Sequence, residues 1–127
     1  MRVLAHATSP EMLGAINDLI HDRWFEINRA VFDENTSTVR IPFDPTVRST
    51  ASAATVTPEA TLLLEVRRAR FLNVQDSERV GRYDFDRIEW DRKTNVVLIR
   101  TGVPVSIRVE ADDVDVAVLD PQSLTPS

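Results

Sequence analysis

The chain has 127 residues, a formal charge of −5 and no cysteine. That length is one domain of ordinary size, and at 43% hydrophobic residues it can bury a core without disulfide or metal staples. The missing thiols exclude disulfides, zinc-thiolate sites and cysteine nucleophiles, and the acidic balance disfavours nucleic acid, where affinity rests on neutralising phosphates.

No apolar run reaches the roughly 18 residues of a membrane span, and the opening "MRVLAHATSPEM" lacks the apolar core of a signal peptide. The expectation is a soluble, cytoplasmic protein with no nucleic-acid or membrane partner. Lys93 is the one lysine among 15 basic residues, a bias expected of a GC-rich bacterial genome. Gly14, Gly81 and Gly102 lie far apart, so no glycine-rich phosphate loop exists.

In chain order, "RVLAHAT" reads as a short strand or lead-in. "SPEMLGAINDLIHD" then carries helix signals: Ser9 as N-cap, Pro10 at the first helical position, Glu11 at the positive end. Met12, Leu13, Ile16, Leu19 and Ile20 form one apolar stripe over about three turns. From Trp24 the period falls to two. "WFEINRAVF" alternates Phe25, Ile27, Arg29 and Val31, "DENTS" is a turn, and "TVRIPF" returns with Val39, Ile41 and Phe43.

Residues 44–60 are rich in Ser, Thr, Ala and Pro without period, and read as a long flexible loop. "TLLLEVRRARFLNV" reads as one long strand. "RYDFDRIEW" is the next, turned by "DRKTN" into "VVLIR". Thr101-Gly102 is expected as a two-residue hairpin loop into "VPVSIRVEA", whose Val103, Val105, Ile107 and Val109 face one way. Val114, Val116 and Val118 resume on the other parity, and residues 121–127 form a tail beyond a single domain over 1–120. No internal repeat is visible. The reading is an α+β fold: one N-terminal helix on a mostly antiparallel meander of six or seven strands, free to curl into a partial barrel. The expected core is Leu13, Ile16, Leu19, Ile20, Phe25, Ile27, Ile41, Leu62, Leu64, Val97, Ile99, Val105, Ile107 and Val109. One short helix cannot cover six strands, so homodimerisation through the sheet follows.

Four polar groupings bear on function. "DLIHDRWF" gathers Asp18, His21 and Asp22. His21 projects about 140° from the centre of the apolar stripe at roughly 100° per residue, which is the solvent side, and a histidine in the last turn suits the negative helix end. The chemical alternative makes Asp18, His21 and Asp22, with His6, metal ligands or an acid–base set, but two histidines in different elements lack zinc spacing. The acids Asp84/Asp86 and Asp112/Asp113/Asp115 lack the glycine and terminal glutamate of a calcium loop, and mark a wet strand face.

No G-x-S-x-G elbow occurs, and serines and threonines concentrate in the 44–60 loop, where nothing orients them. The fourth grouping is "LLLEVRRARFLNV", where Arg68 and Arg70 interrupt the even-numbered apolar positions. A bulge there flips the parity. Otherwise the guanidiniums meet anions, either Asp84, Asp86 and Glu89 of the following strand or an external carboxylate or phosphate.

No signature motif and no family resemblance emerges. The function expected is a non-catalytic interaction or binding module without cofactor or metal, acting as a homo-oligomer or with a protein partner. Its candidate ligand-binding residues are Arg68, Arg70, His21 and Asp22. The alternative is a small-molecule enzyme or metal-binding protein using His21 with Asp18 or Asp22.

Overall fold

A computed structural model describes residues 2–44, 61–76, 81–102 and 105–121. The expected loop over 44–60 and the tail over 121–127 fall, apart from Asp44 and Pro121, outside those residues. Among the described residues, ten strands and one α-helix form two antiparallel five-stranded sheets, where the sequence suggested one meander. The first sheet holds β1 (Arg2–Ala7), β10 (Val116–Asp120), β5 (Leu62–Val66), β4 (Thr38–Phe43) and β3 (Val31–Asp33), in that spatial order. The second holds β2 (Trp24–Glu26), β7 (Arg82–Asp91), β8 (Val96–Thr101), β9 (Ser106–Ala111) and β6 (Ala69–Gln75). One of the sheets curls into a half-barrel.

The extra strands come from two breaks the period did not reveal. A 3-10 turn at Ile27–Arg29 splits "WFEINRAVF", sending β2 and β3 to different sheets. A kink at Arg67-Arg68 splits the long "LLLEVRRARF" strand in the same way. β8 pairs with β9 in a register that sets Ile99 opposite Ile107, so the tight Thr101-Gly102 loop is also corrected, and Val103 lies outside the described residues.

Inner faces of the two sheets supply one core. Val39, Ile41, Phe43, Leu64, Val66, Val116 and Val118 come from the first sheet, and Tyr83, Phe85, Ile88, Val97, Ile99, Ile107 and Val109 from the second. Phe43 joins them, with its ring 4.9 Å from Phe25 and 5.5 Å edge-on to Phe85, geometries favoured by aromatic quadrupoles. Of the expected core, Leu19, Ile27 and Val105 are only partly buried; the rest is fully buried. Each sheet therefore covers the other, and the argument for dimerisation over an open sheet face loses its premise.

The helix is shorter than its stripe suggested. Pro10–Met12 is a 3-10 turn, and α1 (Leu13–Ile20) follows, burying Leu13, Ile16 and Ile20 between β1 and β7. It ends where His21 turns extended and Asp22 adopts a left-handed φ of 66°. Among the described residues no helix is long and apolar enough to cross a membrane.

The strand path repeats, although the sequence hides it. β3, β4 and β5 lie consecutively in the first sheet, and the next strand, β6, crosses to the second sheet beside β9. β7, β8 and β9 lie consecutively in the second sheet, and β10 crosses to the first beside β5. The two hairpins match in detail. In "DENTS" the Asp33 carboxylate accepts the Asn35 N–H at 3.0 Å; in "DRKTN" Asp91 accepts the Lys93 N–H at 3.0 Å. Each turn ends in a left-handed residue, Ser37 (φ 52°) or Asn95 (φ 54°). Each of those carbonyls accepts a backbone bond from a strand at the crossing, Ala69 N–H to Ser37 O and Ala111 N–H to Asn95 O.

Candidate anion-binding cleft

Where the chain passes between the sheets, the β3–β4 turn and both crossings enclose a cleft of about 380 Å³. Thr36, Ser37 and Thr38 line one wall, Arg67, Arg68, Ala69 and Arg70 another, and Asp112 the third. Arg68 holds a left-handed backbone, φ 56°, a conformation that costs a non-glycine residue about 1–2 kcal/mol. Three backbone bonds fix it there: Arg67 N–H to Asp115 O at 2.8 Å, Asp112 N–H to Arg68 O at 3.1 Å, and Ala69 N–H to Ser37 O at 2.8 Å. Non-glycine strain of this kind persists only where surrounding structure over-determines it. Of the four non-glycine residues with positive φ among the described residues, Ser37 and Arg68 line this cleft, and Asp22 and Asn95 stand at other turns.

The kink decides where the arginines point. Within β6 a bulge falls at Arg70, between Ala69 and Phe71, so Ala69, Leu72 and Val74 face the core side and Arg70 faces out. The parity-flip alternative is therefore the one observed: the break turns both arginines outward, and neither is a buried guanidinium that must meet an anion. Arg70 lies 3.3 Å from Asp112 and Arg68 4.0 Å from Asp113. The expected partners Asp84, Asp86 and Glu89 are corrected, because β6 lies beside β9 and not beside β7. All four side chains in these two pairs are more than half exposed, and such pairs contribute little, about 0–1 kcal/mol each.

Arg67 is held differently. It bonds the nearly buried Glu65 carboxylate at 3.1 Å, while Arg40 takes the other oxygen at 3.0 Å. Arg40 continues to Asp33 at 3.1 Å and to the Thr36 hydroxyl at 3.5 Å, at the cleft wall. Glu65 and Asp33 raise the Arg40 pKa, and the Arg40 guanidinium lowers that of Asp33, helped by N–H donors of its own turn. A neutral chain of alternating charge thus runs under the outer surface of the first sheet and fixes Arg67 beside the kink. Arg68 and Arg70 project beyond it on weak pairs.

The other candidates lie elsewhere. Asn17 accepts the Ile88 N–H at 2.7 Å, His21 Nδ1 lies 3.0 Å from the Asp86 carbonyl, and Asp22 N–H donates to Phe85 O at 3.0 Å. The helix end thereby satisfies the edge of β7 beyond the three residues that pair with β2. His21 and Asp22 are exposed and 3.4 Å apart, and Asp18 is exposed. His6 bonds Asp115 at 2.6 Å, so the two histidines serve different strands. Among the described residues no group of three or more acids and histidines is placed to hold a metal. Thr36, Ser37, Thr38, Arg67 and Asp112 were missed as cleft residues. The signals available were the D-x-x-T turn and an acid pair interrupting two valine runs.

No protein-family model, curated protein or solved structure matches the chain.

Proposed function

We propose that the protein is a non-catalytic binding module, and that the cleft at the sheet crossing receives an anionic group, a carboxylate or a phosphate. The observation that carries this reading is the backbone of Arg68, held left-handed by bonds to the β3–β4 turn and to the β9–β10 crossing, so that three arginines and three hydroxyl residues share one cleft. Guanidinium forks suit carboxylate and phosphate bidentately. The exposed Asp112 and Asp113 partners hold Arg68 and Arg70 weakly, and a ligand anion replaces them at low cost. The alternative built on His21 gains no support, since its ring serves the β7 edge.

Titration with inorganic phosphate and with glutarate, followed by amide chemical shifts, tests the reading. Binding at roughly millimolar Kd, about 4 kcal/mol, with shifts centred on 36–38 and 67–70 and lost in Arg68→Ala, is expected. Saturable binding that ignores Arg68→Ala, or none with either anion, removes the cleft from consideration.

A further inference from the structure

Among the described residues four strands form the sheet edges, and three of them are defended against pairing. β2 and β3 are three residues long, and β1 carries a bulge between Val3 and Ala5. Short edges, bulges and charges are the usual protection of an open strand. β6 is the exception. Its first residue is covered by the Ser37 carbonyl and its bulge sits at Arg70, but Phe71–Gln75 runs on regularly against β9 with no charge and no proline. Among the described residues no strand pairs with its outer edge. Phe71 stands 51% exposed there, beside the exposed Asn73 and Gln75.

We propose that β6 is the dimerisation strand, pairing antiparallel with β6 of a second copy about Asn73. The segment is complementary to itself in that register. Leu72 faces Val74 of the other copy twice, on the core side of the sheet. Phe71 faces Gln75 twice on the outer side, and Asn73 faces itself. A slip of one residue swaps inner for outer side chains, which disfavours that register. The product is one continuous ten-stranded sheet.

Sedimentation velocity on the full chain across micromolar concentrations tests this, with Asn73→Lys as the variant. Asn73 is exposed on the monomer, so the substitution leaves the fold, while two lysines face each other across the new ladder. The expected results are a dimer for the parent chain and a monomer for Asn73→Lys with unchanged thermal midpoint. Amides 71–75 of the parent gain exchange protection as concentration rises. A parent chain that stays monomeric, or a dimer that survives Asn73→Lys, overturns the proposal. Asn73 lies outside the arginine cleft, so phosphate binding retained by the variant keeps the two readings separate.

Discussion

Glu65 is the hinge of the charged chain behind the cleft, and its removal has a calculable cost. The carboxylate is 8% exposed and accepts one guanidinium on each oxygen, from Arg40 and Arg67. Bonds to charged groups contribute about 1.5–3 kcal/mol each. Both arginines are about one-third exposed, so water recovers part of the loss and the lower end applies, about 3 kcal/mol in all for Glu65→Ala. In a chain of 127 residues, that corresponds to a fall of roughly 10 °C in thermal midpoint. Glu65→Gln keeps the shape and one acceptor, and about half the loss is expected. Calorimetry measures both variants. A second readout follows from the cleft: with Glu65 gone, Arg67 is released towards it and phosphate binds more tightly. A Glu65→Ala protein within about 0.5 kcal/mol of the parent, which is the usual range for a surface substitution, refutes the claim that this chain is a structural unit.

Asn17→Ala leaves the Ile88 N–H at the β7 edge without its acceptor; a loss of about 1–2 kcal/mol in urea denaturation and faster exchange of the Ile88 amide are expected. Gly14 sits exposed inside α1 with open space where a Cβ would lie, so Gly14→Ala is expected to raise the midpoint, by up to about 1 kcal/mol of stability. The pKa values of Asp33 and Asp91 are lowered, first by Arg40 for Asp33 and by the Lys93 N–H for Asp91. Their stabilisation is therefore complete above the ordinary carboxylate range near pH 4 and lost as pH falls through the depressed folded values. Acid titration of the midpoint should be flatter below pH 4 in an Asp33→Asn, Asp91→Asn double variant.

Much of the fold was legible where period and turn chemistry agreed. The hairpins around "DENTS" and "DRKTN" emerged because alternating apolar runs flank Asx turns, and the odd positions of 105–109 face the core as the alternation requires. The division into two sheets was not legible. It depends on Arg67-Arg68, where neither glycine nor proline marks the break and an arginine takes the left-handed conformation. Long-range backbone bonds with Ser37, Asp112 and Asp115 enforce that conformation, and a local reading has no access to them. The same holds for Ile27–Arg29, whose composition suits a strand. For the site, Arg68 and Arg70 were identifiable as anomalies in an apolar alternation. Their partners were not, because naming them needs strand order, and "RYDFDRIEW" follows in sequence without being the neighbour in space.

The exchange of β6 and β10 between the sheets has a consequence for synthesis. β10 is the last strand among the described residues, yet it lies inside the first sheet between β1 and β5, pairing Asp120 with Arg2. While the chain is still emerging from the ribosome, β1 has no neighbour to pair with and β5 keeps one edge open. The β4–β5 and β8–β9 pairs can assemble early, but the first sheet closes only when 116–120 is released. Loss of the final strand therefore removes the middle of a sheet. A protein shortened before Val116 would lack the ladder that ties β1 to the rest, leaving β1 without its partner and β5 with an open edge as a substrate for proteases and chaperones.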